Sequence, residues 1–329
     1  METVLSGIRS TGHMHLGNYF GALRNFVKIQ DTYNCFFFIA DLHSLTTHPH
    51  PDDFHANVKI ILSEYLAAGL DPEKCALYVQ SDVPEISELY VLLNMIAYVG
   101  ELERTTTFKD KVRLNPNNVN AGLLTYPVLM ASDILSHRAN WVPVGKDQEP
   151  HLEIARVLAR RFNNTYGVEL FPEPYAFNFG HDLVKVPGLD GSGKMGKSEG
   201  NGIYLIDDDK TITRKVMHAV TDSGPTEPDS EMSEPVANIF TLMKLVSDPD
   251  IVRQFEAAYA DCSIRYGDLK KQLAADICKT VAPIRERIGS IYNDDAYLSK
   301  VVATGRDKAR ASASATLKLA QQAIGFRTF

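Results

Sequence analysis

Apolar residues recur along this chain in two alternating rhythms. Thr3 to Ile8 is a short apolar run ending in Gly, Ser and Thr turn residues, and from Leu16 the positions Leu16, Tyr19, Phe20, Leu23, Phe26 and Val27 return at helical spacing. The pair predicts a strand, a glycine turn and a helix. The run Asn34 to Ala40 (NCFFFIA) stops at Asp41, the pattern of a strand covered on both faces of a parallel sheet. Phe54, Val58, Ile61, Leu62, Tyr65 and Leu66 predict the next helix, which Gly69 can close. Ala76 to Gln80 reads as a third strand, followed by a helix through Ile86, Leu89, Tyr90, Leu93 and Ile96. Trp141 to Val144 is a later strand that runs through Gly145 to Gln148 into a helix carrying Leu152, Ala155, Leu158 and Phe162.

Repeated strand and helix units of this kind predict an α/β protein with a doubly wound parallel sheet, whose ligands sit beyond the carboxyl ends of the strands. The polar clusters Ser10 to Asn18, Asp41 to His43 and Gly145 to Gln148 all follow strand ends, which is where a site is expected. Beyond about Asp207 helical patterns take over, with breaks expected at Gly224-Pro225, Pro249 and Gly305. The chain therefore reads as a sheet domain over 1–206, with a helical insertion at about 101–140, followed by an all-helical domain over 207–329.

Composition narrows the function. With 44% hydrophobic and 23% charged residues, the 329-residue chain is an ordinary globular protein rather than a disordered or low-complexity one. Its net charge of −7 argues against indiscriminate nucleic-acid binding, although a local basic patch stays open. Cys35, Cys75, Cys262 and Cys278 are too scattered for a structural zinc or iron–sulfur site. No basic leader or long apolar span is evident, so a cytoplasmic protein with no membrane segment is expected.

Four motifs carry candidate chemistry. Ser6 to Asn18 (SGIRSTGHMHLGN) places Gly7, Gly12 and Gly17 before a helix, where unpaired N–H groups and the positive dipole end suit phosphate; tight turns alone are the alternative. Its glycine order is neither Walker A nor the dinucleotide fingerprint. Asp190 to Asn201 (DGSGKMGKSEGN) sets Lys194 and Lys197 in a glycine-rich loop, suited to bringing charge to a polyphosphate by closing, or else a solvated linker. In Val144 to Gln148, Asp147 and the Gln148 amide either accept from ribose hydroxyls or cap a helix. Asp133 interrupts the apolar helical run Tyr126 to Leu135 and so requires a partner: an Arg, Tyr or backbone donor, or a ligand.

Taken together these segments resemble the bacterial-type tryptophanyl-tRNA synthetases, within the class I aminoacyl-tRNA synthetases. Thr11 to Asn18 is similar to the HIGH-type signature, with His15 at its first histidine and Asn18 replacing the second, and Lys194 to Ser198 (KMGKS) is similar to the KMSKS loop. Gly100 to Arg104, Leu124 to Leu135, Gly145 to Gln148, Gly305 to Arg310 and Gly325-Phe326 resemble family segments in matching order. The resemblance implies a Rossmann-like, HUP-type catalytic domain and a helical anticodon-binding domain. It also implies a two-step reaction in which ATP and tryptophan give tryptophanyl-adenylate and pyrophosphate, and the activated amino acid then passes to its cognate tRNA.

By the same resemblance, ATP meets the backbone of Arg9, Ser10 and Thr11, with His15, Gly17 and Asn18. Gly145 and Lys146 bind ATP, Asp147 and Gln148 lie around the ribose and the adjoining substrate pocket, Val186 presents its backbone to adenine, and the loop Lys194, Met195, Gly196, Lys197 and Ser198 closes on ATP. Lys111, Lys194 and Lys197 stabilise the departing pyrophosphate, with Mg²⁺ carried by ATP and no protein metal site. Tryptophan is received by Asp133, which accepts the indole N–H, with Met130, His43, Leu5, Tyr126 and Gln148. A homodimer is implied, with its interface after Glu101. Three departures stand out: Gly196 in the loop, a Ser-Thr-Gly turn at Ser10 to Gly12, and Thr107 where the family usually has Gln. A tyrosine enzyme, a catalytically weak RNA-binding or regulatory paralogue, and a small-metabolite nucleotidyltransferase are the competing readings. For tRNA, the stretch Ala296 to Phe329 offers Lys300, Arg306, Lys308, Arg310, Lys318 and Arg327 against the single acid Asp307, a basic stripe in an acidic chain.

Overall fold

The computed structural model describes the chain except residues 115, 146–147, 178, 180–184, 198 and 327–329, and the side chains of 106, 107, 111 and 114. Strand β1 (Thr3–Arg9) leads into a helical stretch, α1, that starts as Leu16–Asn18, passes through a π-helical turn at Tyr19–Leu23 and continues as Arg24–Ile29. Then follow β2 (Asn34–Ala40), a short helix α2 (Asp41–Ser44), α3 (Pro51–Ala67), β3 (Ala76–Val79) and α4 (Pro84–Asn94). Helix α5 (Ala121–Ser136) precedes β4 (Trp141–Val142), α6 (Glu149–Tyr166) and β5 (Tyr175–Ala176). The strand β5 carries no alternating pattern in the sequence because only two residues pair.

All five strands are parallel, in the order β3-β2-β1-β4-β5. The chain builds outward from β1 in one direction and then returns to build from its other side, so the order reverses between β1 and β4. At such a switch point the loops diverge and leave a crevice beyond the strand ends. The apolar run of β2 shows why the sheet is covered twice: Cys35, Phe37 and Ile39 join the core on one face, whereas Phe36, Phe38 and Ala40 join that on the other. Phe37 stacks on Phe26 of α1 with ring centroids 4.7 Å apart.

After Asp207 the described elements are helical: α7 (Asp209–Met217), α8 (Glu234–Val246), α9 (Pro249–Ala260), α10 (Tyr266–Tyr292) and α11 (Asp295–Ile324). Their apolar faces are continuous with the core over α1 and α3. Gly305 is not the break expected from the sequence. It lies inside α11, where an added Cβ would come within 1.7 Å of the Leu77 carbonyl oxygen, so the missing side chain lets the helix rest on β3. The second half of α11 then packs along α4, where Arg310 and Ser314 both donate to Glu85, at 3.0 and 2.8 Å.

This docking changes the basic stripe. Arg310 is engaged by Glu85, Lys308 donates to the Pro72 carbonyl at 2.7 Å, and Arg306 pairs with Asp307. Lys300 and Lys318 face solvent, and Arg327 lies outside the described residues. Among the described residues no helix is long and apolar enough to cross a membrane.

Candidate active site

The crevice at the switch point holds a cavity of about 840 Å³ lined by β1, the start of α1, α5, the β4 exit and the 185–196 segment. Of the residues singled out in the sequence, Leu5, Arg9, His15, Gly17, Asn18, His43, Tyr126, Met130, Asp133, Gly145, Gln148, Val186, Lys194, Met195 and Gly196 face it. Ser10, Thr11 and Lys197 do not line it. Lys146, Asp147 and Ser198 are outside the described residues, as is the Lys111 side chain.

At one end, Asp133 on α5 is 1% exposed. Its Oδ2 lies 2.8 Å from His43 Nε2, and its Oδ1 accepts from Gln80 Nε2 at 2.7 Å. Neither an Arg, a Tyr nor a backbone donor provides this pairing. The carboxyl is shifted upward in pKa, because burial, with the nearby Asp41 charge, outweighs the hydrogen bonds from His43 and Gln80 and the His43 charge. With a donor at each oxygen the carboxylate is held as an acceptor, and each oxygen keeps a second lone pair for a ligand. Tyr126 packs edge-on against His43 at 5.0 Å between centroids and closes the neighbouring wall. Gln80 was not legible as a site residue, although it is a polar group immediately after a strand end.

A clamp beneath fixes this geometry. Asp41, the first residue of α2, accepts from the Ser81 backbone N–H at 3.0 Å and from the Ser81 hydroxyl at 2.5 Å. It thereby ties the turn that carries His43 to the turn that carries Gln80.

At the other end, His15 caps α1. Its Nδ1 accepts from the Asn18 N–H at 3.3 Å, while Asn18 Oδ1 accepts from the His15 N–H at 3.2 Å. Burial, with the charges of Lys197 and Lys194, lowers the His15 pKa to about 4. The ring is therefore neutral, and because Nδ1 accepts, the hydrogen-bond network assigns the proton to Nε2. Gly17 must lack a side chain here, since an added Cβ would sit 2.8 Å from the His15 ring.

The turn before the cap is already internally bonded. Ser10 directs both its N–H and its hydroxyl to Ser44 Oγ, each at 3.0 Å, and the Thr11 N–H donates to the Arg9 carbonyl at 2.9 Å. Glu64, fully buried on α3, accepts from the Met14 N–H at 2.9 Å and contacts His13 Nδ1 at 2.8 Å, which pins the segment leading to His15.

Lys197 donates to the carbonyls of Gly12 at 2.7 Å and Thr11 at 3.3 Å, so the 190–201 loop is folded against the glycine turn. Burial lowers the Lys197 pKa to about 8, partly offset by Glu64 and reinforced by Arg9. The loop's shape is held by Asn201, which is 5% exposed. Its Nδ2 donates to Asp190, Ser192 and the Lys194 carbonyl at 3.0 to 3.1 Å, while its Oδ1 accepts from the Gly196 N–H at 2.9 Å. The Val186 carbonyl accepts from the Met195 N–H at 2.8 Å. Lys185, not singled out in the sequence, also faces the cavity.

Known proteins are similar to this chain in sequence and fold. The family model described as tRNA synthetases class I (W and Y) matches residues 2–282. A tryptophan–tRNA ligase of Porphyromonas gingivalis is 64% identical over 327 residues, covering 99% of this chain and 100% of that protein, and one of Clostridium tetani is 40% identical over 99% and 96%. The tryptophanyl-tRNA synthetase of Campylobacter jejuni, solved in complex with ADP and tryptophan, superposes with a TM-score of 0.88 at 34% identity, over 98% of this chain and 100% of that one. With a parallel sheet reversed at β1, paired signatures on one crevice and end-to-end similarity to these relatives, the chain belongs to the bacterial class I tryptophanyl-tRNA synthetases.

Proposed function

We propose the following division of labour for the tryptophan–tRNA ligase reaction of this family. Tryptophan enters the Asp133 end of the cavity, where the ionised carboxylate accepts the indole N–H, Met130 and Leu5 provide apolar walls, and Tyr126 and Gln148 meet the amino-acid backbone. An analogue without that N–H leaves a buried acceptor unsatisfied, at a cost of about 1–3 kcal/mol. ATP lies across the opposite end, with the His15 Nε2–H, Gly17 and Asn18 at the phosphates, and Gly145 with Asp147 at the ribose. Val186 flanks the adenine.

The tryptophan carboxylate attacks the α-phosphorus and pyrophosphate leaves, so no covalent enzyme intermediate is required and positioning with charge stabilisation supplies the acceleration. Lys194, Lys197 and Lys111 stabilise the leaving group. Magnesium enters with ATP. The terminal ribose of the tRNA then takes the activated carboxyl group from the adenylate.

In this reading residues 1–206 are catalytic and 207–329 recognise the tRNA, in the cytoplasm. A homodimer forms beside the 101–140 region, supported by Val91, Met95, Tyr98 and Val99, which expose large apolar side chains next to it. The observation that carries the assignment is one cavity with a doubly donated, buried carboxylate at one end and a folded lysine loop at the other. ATP–pyrophosphate exchange measured with each amino acid in turn tests it. Exchange supported by tryptophan alone is expected, and exchange with tyrosine or with none would overturn it.

A further inference from the structure

Arg9, the last residue of β1, lines the cavity and yet has no assigned use for its side chain. Its Nε and Nη2 are shielded from solvent and have no hydrogen-bond partner among the described residues. A guanidinium in that condition is expensive unless something anionic joins it. Its neighbours locate it between the two ends of the cavity: it couples electrostatically to Tyr126 on α5 and to Lys197 of the loop.

The cavity receives two anions that must approach each other, an amino-acid carboxylate and a polyphosphate. Among the described residues the other cations lining it are Lys185 and Lys194, both on the 185–196 segment with Val186, Met195 and Gly196. The polyphosphate thus has its own charge. Arg9, on the strand that also supplies Leu5 to the cavity, is the cation placed for the carboxylate, and its planar fork fits two carboxylate oxygens as a lysine does not.

We propose that the Arg9 side chain binds the carboxylate of the incoming amino acid and holds it against the α-phosphorus, a role that rests on the ligase reading above. The carboxylate forms the new C–O–P bond as an anion while the bond to pyrophosphate breaks, so no proton is transferred. Arg9 lowers the repulsion between the two reactants and is released to the adenylate's acyl phosphate when the bond has formed.

The test is calorimetric titration of the full-length protein with L-tryptophan and with tryptamine, which has the indole and ammonium but no carboxylate, alongside steady-state exchange. For Arg9→Gln, tryptophan binding and kcat/KM for tryptophan are expected to fall roughly ten- to a hundredfold, the range for a hydrogen bond to a charged group. Tryptamine binding and the KM for ATP should stay near wild type. Arg9→Lys should recover part of the tryptophan affinity. The melting temperature of Arg9→Gln should not fall, because the variant removes a half-buried charge with two shielded nitrogens that have no partner among the described residues. Equal losses for tryptophan and tryptamine would make Arg9 structural, and a loss confined to ATP would assign it to phosphate; either overturns the proposal while wild-type exchange keeps the ligase reading intact. Absence of exchange in the wild type would overturn both.

Discussion

At the proposed amino-acid end of the cavity, Asp133, His43 and Gln80 are each less than 10% exposed and are joined by hydrogen bonds of 2.7 to 2.8 Å between three different segments. At the proposed nucleotide end, Lys194 is exposed and the loop that carries it is held largely by polar contacts, among them those of the Asn201 amide, the Met195 N–H on the Val186 carbonyl and Lys197 on two carbonyls. The first end is set by packing before a ligand arrives. The second is set by a few polar contacts that a polyphosphate can replace. Selectivity gains from the former, because a fixed acceptor penalises a ligand without a donor; charge stabilisation gains from the latter, because the cations can follow the leaving group.

That contrast can be broken at either end. The largest effect is expected from Lys194→Ala with Lys197→Ala: one preorganised donor to developing charge is worth about 10²–10³ in kcat, so exchange should slow by at least roughly a thousandfold with the melting temperature hardly altered. Unchanged exchange, or a large loss of stability, would show that the loop is a structural part of the fold. Asp133→Ala should act in the opposite manner. It leaves the His43 and Gln80 donors buried without an acceptor, at about 1–3 kcal/mol each, so melting temperature and tryptophan affinity should fall together while the KM for ATP stays close to wild type. Equal rises in both KM values would contradict the separation of the two ends.

The smallest effect concerns pH. The Lys197 pKa is lowered to about 8 by burial, so the ammonium is lost as pH rises through that value. For the free enzyme, kcat/KM for ATP should therefore fall to about half its plateau there, and Lys197→Arg should flatten this alkaline limb. Stability moves the other way. Between about 8 and the ordinary lysine value of 10.5 the folded chain holds fewer protons at this site than the unfolded chain, so this group makes stability rise with pH across that window. A flat pH profile of kcat/KM for ATP would show that Lys197 does not act as a cation in the free enzyme.

Much of this molecule is written in local pattern. Strand and helix periodicity marked β1 to β3 and the helices after them, and polar residues at strand ends marked the crevice, because both signals depend on neighbours within a turn or a pleat. The glycine and lysine motifs stood out for the same reason, by residue type and close spacing, although a tight turn and a solvated linker remained open readings until the family resemblance joined them. What the sequence alone could not supply are pairings across the sheet. Asp133 meets His43 and Gln80 only because β2 and β3 lie side by side in parallel register, with α5 packed over their ends, which brings together residues 90 and 53 positions apart. Gly305 looks like a helix breaker until β3 is seen beneath it, and Arg9 looks like part of a turn until two of its guanidinium nitrogens are found shielded and unpartnered among the described residues. Burial of a charge and the identity of its partner are properties of distant segments in contact, and only the tertiary structure decides them.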